Sequence, residues 1–207
     1  MASKQYQFSP FGTFDHPWVN KPDVKFNTDG VYKTGLVLSG PEAQAFKEKV
    51  DAASQAAFDT YFETGDGRTL KPGERRQWSI YVPYTEEMDD SGDNPTGYIT
   101  FDFKQNAKIK LRDGTTKDIQ VGIKDSKNKD LHKPVFSGSE GRTMFSFRDI
   151  PMKSLKQIGA RMDLAAIQVT KLSSSNGPGF GEVEGGYSED EQSEAHQETT
   201  GDTGGDY

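Results

Sequence analysis

A period-two alternation of apolar and polar side chains over residues 98–111 constrains the fold of this 207-residue chain more than any other feature. The apolar members all occupy odd positions, namely Ile99, Phe101, Phe103, Ala107, Ile109 and Leu111. Because side chains alternate across a β-strand, the pattern predicts one long strand with a core face and a solvent face. The even positions include Tyr98, Lys104, Lys108 and Lys110, so the solvent face is cationic.

Other strand patterns flank this segment, and one helical pattern interrupts them. Apolar residues recur at helical spacing over residues 41–62, which begin with Pro41, a residue favoured at the first helical position. Further segments of strand character are residues 30–38, 77–84, 117–124, 143–148 and 162–172. Asp113-Gly114 predicts a hairpin turn, and residues 153–159 are expected to form a short helix.

Antiparallel strands with a single long helix predict a mainly β fold, because helices and strands do not alternate along the chain. A small barrel accommodates this number of strands. We therefore expect a five-stranded oligonucleotide-binding (OB) barrel, with the long helix after the first strand, residues 30–38. The aromatic residues before that strand, such as Phe11, Phe14 and Trp18, are expected to form an N-terminal arm that covers the barrel, mediates a dimer or touches a ligand.

Charge is divided unevenly along the chain. Residues 182–207 contain nine carboxylates and no Lys or Arg, so leaving them out changes the formal charge from −7 to +2 for residues 1–181. Such a polar segment does not bury enough apolar surface to offset its ordering entropy. We expect an OB-fold domain with its arm over residues 1–172, a flexible Ser/Gly linker over 173–181, and a disordered acidic tail over 182–207.

The composition argues against several function classes. With no cysteine, the chain has no disulfide framework, thiolate metal site or cysteine nucleophile. No zinc spacing, phosphate-binding loop or nucleophile elbow occurs, so we expect no enzyme activity, no cofactor and no metal. A magnesium-dependent nuclease built on the acidic loop of residues 86–93 ranks last. No apolar run reaches the length of a membrane span, so a cytosolic protein is expected.

Cations and aromatic rings on the same predicted faces favour single-stranded DNA as the ligand. A strand of DNA needs a positive groove for its phosphates and exposed rings on which bases stack. The predicted DNA-binding residues are Lys104, Tyr98, Tyr81, Lys108, Tyr84, Arg75, Arg76 and Lys110. Trp78, Phe101 and Phe103 lie on predicted inward faces and are expected in the core. The alternative is a solvated polar face, as ordinary half-buried strands have.

Several short motifs occur in a fixed order along the chain. They are Lys21-Pro22-Asp23, Gly30-Val31-Tyr32-Lys33, Leu70-Lys71-Pro72, Asp125-Ser126-Lys127 with Pro134, Ile150-Pro151, and an acidic terminus ending in an aromatic residue. In this ordered set the chain resembles the single-stranded-DNA-binding protein of T7-like bacteriophages. Lys104 matches a basic DNA-contact position of that family. Asn106 and Met152 stand where the family has aromatic residues, and Tyr207 stands where it ends in Phe.

The resemblance implies a role in phage DNA replication and recombination, inside the host bacterial cytoplasm. It also implies a dimer in the free form and a tail that competes with DNA for the binding groove. The tail is expected to contact phage DNA polymerase and primase-helicase through Asp206, Tyr207, Glu189, Asp190 and Glu191. The rival hypothesis is a protein-interaction or nucleic-acid-mimic module that has no DNA binding of its own.

Overall fold

Long strands and one long helix make up most of the fold. The computed structural model describes residues 5–111 and 113–174. The strands in chain order are β1 Gln7–Phe8, β2 Gly12–Asp23, β3 Val31–Ser39, β4 Ser79–Tyr81, β5 Tyr84–Met88, β6 Pro95–Asn106, β7 Lys108–Lys110, β8 Thr116–Asp118, β9 Gly122–Lys124, β10 Glu140–Met152 and β11 Gln157–Lys171. The α-helices are α1 Gly40–Glu63 and α2 Pro72–Arg75, and short 3-10 turns cover Asp66–Thr69 and Lys153–Leu155.

Five of the strands close into a ring. Antiparallel pairs join β2 to β3, β3 to β6, β10 to β11 and β10 to β2, and a parallel pair joins β6 to β11. The order β2–β3–β6–β11–β10 therefore returns to β2. This closed five-stranded barrel with one long helix confirms the predicted mainly β fold of the OB type.

Aromatic side chains fill the barrel, and α1 packs against them. Phe101, Phe103 and Phe145 are fully buried. Phe46 of α1 lies 4.8 Å from the ring centroid of Phe101 and 5.8 Å from that of Phe145, in edge-to-face geometry. Such pairs contribute about 0.5–1.5 kcal/mol beyond the area that they bury. The helix is thereby fixed against the interior, and the outer faces of the strands remain open.

The predicted N-terminal arm is part of the sheet. It contributes β1 and β2, so the segment predicted as the first strand, residues 30–38, is the third strand, β3, which does lie directly before α1. Phe14 and Val19 are both buried although one position is even and the other odd. A register shift between Asp15 and Trp18, where His16 has a φ of 43°, accounts for the change of face. The segment was not predicted as a strand, because this bulge conceals the alternation.

The alternation over residues 98–111 is confirmed up to Ala107. Beyond that residue the chain leaves the barrel, and β7 pairs with β8 in a separate two-stranded hairpin. Ile109 and Leu111 are consequently 36% and 43% exposed. Their predicted place in the core was wrong, because a hairpin of two strands has no second layer against which to bury a face.

The segment predicted as one strand over residues 77–84 is divided in two. Pro83, which has no N–H to donate, lies between β4 and β5, and Ile80 is 38% exposed. Trp78 does pack as expected, but in a second cluster at the end of α1. We call this the helix-end cluster, and its members are Tyr61, Phe62, Ile158, Trp78, Phe58 and Leu70.

Two other predicted segments also differ in detail. Residues 117–124 contain two short strands, β8 and β9, in place of one. The short helix expected over residues 153–159 is a single 3-10 turn, Lys153–Leu155, and β11 begins at Gln157. This turn joins β10 to β11, which pair along almost their whole length.

Candidate nucleic-acid interface

Lys104 lies at the centre of the outer surface formed by β3, β6 and β11. Its backbone neighbours across the sheet are Lys33 on β3 and Asp163 on β11. Lys33 is neutralised by Asp23, with 2.7 Å between Nζ and Oδ2, and the hydrogen bond from Lys33 holds the pKa of Asp23 below its usual value. Within the described residues, Lys104 has no carboxylate within ion-pair distance. Its charge is therefore free to meet an anion.

Two arginines meet on the neighbouring strands. Arg148 and Arg161 are directly opposite each other in the β10–β11 ladder, an arrangement that is unfavourable for like charges. Asp163 offsets this repulsion by forming an ion pair with Arg148, with 2.8 Å between Nε and Oδ2, and by accepting a hydrogen bond from Arg161 Nε at 2.7 Å. The Asp163 side chain is 6% exposed, whereas that of Arg148 is 50% exposed. One buried carboxylate thus orients two guanidinium groups and leaves a net positive charge at the surface.

The β7–β8 hairpin brings two predicted cations beside these arginines. Lys108 and Lys110 line a cleft of about 230 Å³ together with Arg148 and Arg161, and we call it the cationic cleft. Asn106 also lines it. Lys108 and Lys110 have no ion-pair partner in the part of the chain that the structure describes. Four cations against the single carboxylate of Asp163 make the cleft a site for a polyanion.

The structure places Tyr81 at the border of this surface. Tyr81 on β4 is the parallel neighbour of Gly159 on β11, where a Cβ atom would clash with the Tyr81 carbonyl oxygen. Glycine therefore allows β4 to approach β11. Burial and the nearby negative charge of Asp102 raise the pKa of Tyr81, and the positive charge of Arg161 opposes that rise. Tyr81 is thus close to both Asp102 and Arg161.

Tyr98 lies at the other end of β6, opposite Ser39 at the start of α1. Its side chain is 50% exposed. Neither Tyr98 nor Tyr81 contacts another aromatic ring among the described residues. Tyr98 is therefore accessible to a ligand, and Tyr81 is partly buried but not stacked on another ring.

Tyr84 is placed differently from the other two predicted rings. Its hydroxyl donates a 2.7 Å hydrogen bond to Asp51 of α1, and its ring centroid lies 5.6 Å from that of Phe101. The Lys47 ammonium lies 5.4 Å from the same ring. Burial, followed by the hydrogen bond to Asp51, raises the pKa of the Tyr84 hydroxyl. These contacts connect the helix to the sheet and use both the ring and its hydroxyl.

The predicted residues Arg75 and Arg76 are not brought to the cationic cleft. The Arg75 guanidinium lies 4.5 Å from the ring centroid of Phe62, so it covers the helix-end cluster. Arg76 is exposed at the end of α2. In the described residues, no hydrogen bond, ion pair or ring contact joins either arginine to β6. The prediction that these two arginines line the same surface as Lys104 is therefore not supported, and Arg75 serves as a packing contact of the helix-end cluster.

The predicted partner-binding residues Glu189, Asp190, Glu191, Asp206 and Tyr207 lie outside the described residues. So do residues 175–181 of the predicted linker. Where the structure describes the chain, no group of three or more His, Asp or Glu side chains has the geometry to hold a metal ion. None of the described helices combines the length and apolar character needed to cross a membrane.

The fold and this surface together define a class of protein. A five-stranded OB barrel with a cationic outer face and unstacked rings has the features of a single-strand nucleic-acid-binding domain. The family model described as "Single-stranded DNA-binding protein, Bacteriophage T7" matches residues 8–172. The chain therefore belongs to this family of bacteriophage single-stranded DNA-binding proteins.

Solved structures agree in fold. The crystal structure of gp2.5, a single-stranded DNA-binding protein encoded by bacteriophage T7, matches with a TM-score of 0.67 and 20% identity, covering 98% of this chain and 100% of that one. The single-stranded DNA-binding protein of bacteriophage Enc34 in complex with ssDNA matches with a TM-score of 0.53 and 12% identity, covering 83% and 89%. A comparison with curated proteins found no match.

Proposed function

We propose that this protein binds single-stranded DNA without sequence preference and protects it during phage replication and recombination in the host cytoplasm. Membership of the family supports the ligand. The observation that carries the proposal is the convergence of Lys108, Lys110, Arg148 and Arg161 on one cleft beside the unpaired Lys104. A group of positive charges of this kind attracts phosphates, and contacts with phosphates do not depend on base identity.

Binding proceeds through phosphates first and bases second. The cleft cations neutralise phosphates and release their counterions, so the affinity falls steeply as salt is added. Asp163 fixes the two arginines before DNA arrives, which reduces the entropy lost when a phosphate is bound. Bases then stack on Tyr81 and Tyr98, whose rings have no aromatic neighbour among the described residues. Stacking accepts all four bases, because each has a flat π face.

The direct test compares two variants that each remove one cation. Fluorescence anisotropy of a labelled oligothymidine is measured with the wild type, Lys104→Ala and Arg76→Ala. We expect weaker binding for Lys104→Ala and wild-type affinity for Arg76→Ala. Equal losses of affinity in the two variants would mean that only the net charge of the protein matters. If the wild type does not bind DNA, the rival hypothesis of a protein-interaction module is favoured.

Within this proposal, the acidic tail of residues 182–207 regulates DNA binding. Its nine carboxylates are tethered to the domain, which gives them a high effective concentration near the cationic cleft. DNA must displace them, and the displaced tail is then available to a replication protein. We expect deletion of residues 182–207 to tighten DNA binding at low salt. Unchanged or weaker binding after deletion contradicts competition by the tail.

The terminal residues Asp206 and Tyr207 are proposed to contact the phage DNA polymerase and primase-helicase. Tyr207→Ala is expected to weaken binding of these proteins, measured by surface plasmon resonance, without weakening binding to DNA. Tyr187→Ala is the matched control, since it removes a ring from the same acidic segment.

A homodimer in the free form is also proposed, and sedimentation equilibrium without DNA tests it.

A further inference from the structure

A groove lies on the outer side of β2, away from the cleft residues. It has a volume of about 380 Å³, within the range of small-ligand sites. Its lining residues are Pro17, Trp18, Asn20, Lys21, Pro134, Val135 and Phe136. None of them is acidic. The groove thus combines flat apolar walls with a positive charge at Lys21.

Two partly exposed rings belong to this groove. Trp18 is 38% exposed and Phe136 is 36% exposed. Neither ring contacts another aromatic ring in the described residues. Trp78 differs in this respect, because its ring lies 5.1 Å from Tyr61 and 5.9 Å from Phe62. Each ring is therefore partly open to solvent and is not stacked on another ring.

The segment that contains Phe136 is fixed to β2 by hydrogen bonds. The Val135 N–H donates to Asn20 Oδ1 at 2.9 Å, and the His16 N–H donates to Ser137 Oγ at 2.9 Å. Val135 itself is 3% exposed. The groove is therefore formed before any ligand enters, and binding there does not require a loop to be ordered.

The groove continues the surface on which Lys104 lies. Trp18 is the backbone neighbour of Lys33, Lys33 is that of Lys104, and Lys104 is that of Asp163. All four belong to one row across β2, β3, β6 and β11. Neighbouring strands are about 4.8 Å apart, so the Trp18 and Lys104 backbones are separated by about 10 Å. At about 3.4 Å per nucleotide, roughly three stacked nucleotides span that distance.

We infer that the groove of Trp18 and Phe136 binds a nucleobase of the same DNA strand whose phosphates meet Lys104 and the cationic cleft. This inference rests on the proposed function. It adds the path of the DNA, which crosses the sheet along the row from β11 to β2. Continuity with the cationic surface and the absence of acidic lining residues favour nucleic acid over a peptide. Tyr81 then borders the path at one end and Trp18 at the other.

The test makes Trp18 the sole tryptophan. Full-length Trp78→Phe is titrated with unlabelled oligothymidine while Trp18 emission is followed, and binding is measured separately by the anisotropy of a labelled oligothymidine. We expect Trp18 emission to be quenched with the same midpoint as the anisotropy change. Circular dichroism checks that Trp78→Phe is folded.

Variants of Trp18 in the otherwise wild-type chain give a second measurement. Trp18→Ala is expected to weaken oligothymidine binding about 5- to 150-fold, the equivalent of about 1–3 kcal/mol for one stacked base. Trp18→Phe keeps a ring and should restore most of the affinity. Phe11→Ala is the matched control, because Phe11 is also exposed but lies over Arg142 and outside the row.

The outcomes separate this inference from the proposed function. If anisotropy shows binding but Trp18 emission stays constant and Trp18→Ala binds like the wild type, the groove is outside the DNA path and the inference is wrong. If no oligothymidine binds at all, the proposed function fails. If Trp18 emission changes on dilution without DNA and not on adding DNA, the groove is an interface between copies of the chain, which also overturns the inference.

Discussion

The cationic cleft and the helix-end cluster are built from similar residues but differ in how those residues are used. In the helix-end cluster the Arg75 guanidinium lies 4.5 Å from the Phe62 ring centroid, and Trp78 contacts the rings of Phe62 and Tyr61. In the cleft, Lys108 and Lys110 have no ion-pair partner among the described residues, and the nearby Tyr81 ring is not stacked on another ring. Arginine next to aromatic residues therefore does not define a binding site. A charged or aromatic side chain is available to a ligand only where the fold has not already paired or packed it.

The largest expected effect separates the two regions by stability. Trp78→Ala removes a partly buried ring from the helix-end cluster and should lower the free energy of unfolding by about 2 kcal/mol, less than for a fully buried core ring. The DNA affinity of the folded variant should not change. Urea unfolding and anisotropy measure the two quantities. A stable Trp78→Ala protein with impaired DNA binding would reverse the assignment of this cluster.

A smaller effect is expected for DNA affinity when a ring beside the cleft is removed. Tyr81→Ala should weaken oligothymidine binding about tenfold, within the 1–3 kcal/mol of one base stack. The comparison variant is Tyr84→Phe, which loses the hydrogen bond to Asp51. It should cost about 1 kcal/mol of stability and leave the affinity unchanged. Loss of DNA binding in Tyr84→Phe would place that hydroxyl in the interface.

The smallest effect concerns the ion pair within the row. Asp23→Asn frees Lys33, which is the neighbour of Lys104, and should tighten DNA binding a few-fold at low salt. At high salt the difference should disappear because the charges are screened. Anisotropy at two salt concentrations measures it. Weaker binding by the variant would show that Asp23 is needed to orient Lys33.

The same pair predicts a pH dependence of stability. The pKa of Asp23 lies below its usual value of 3.8, chiefly because of the hydrogen bond from Lys33. The ion pair therefore stabilises the fold above that usual value, and its contribution is lost as the pH falls through the lowered pKa. The free energy of unfolding of Asp23→Asn should lack this contribution to its dependence on acid pH. Unfolding curves of both proteins between pH 2 and 5 test the difference.

The sequence predicted those parts of the fold that depend on local periodicity. The alternation of Ile99, Phe101 and Phe103 and the helical spacing over residues 41–62 are local, and both elements formed. β2 was missed because its bulge near His16 changes the buried parity. Ile109 was misplaced because periodicity does not show where a strand leaves the barrel.

The site was only partly predictable for a related reason. Lys104, Lys108 and Lys110 share a segment and could be grouped from the sequence. Arg148 and Arg161 lie on two strands whose pairing places them opposite each other, and no local pattern indicates that pairing. The alternation of β10 around Phe145 and Phe147 was the available signal, since it assigns Arg148 to the outer face.

The salt dependence of binding tests the central claim most directly, because its slope counts phosphate contacts. Oligothymidine affinity is measured over a range of salt concentrations for the wild type, for Lys108→Ala/Lys110→Ala and for Arg75→Ala/Arg76→Ala. Each pair removes two positive charges. We predict that the slope of log affinity against log salt falls in magnitude by about 1.4 for the lysine pair and is unchanged for the arginine pair. Equal slopes for both variants would contradict the assignment of the cationic cleft as the DNA-binding surface.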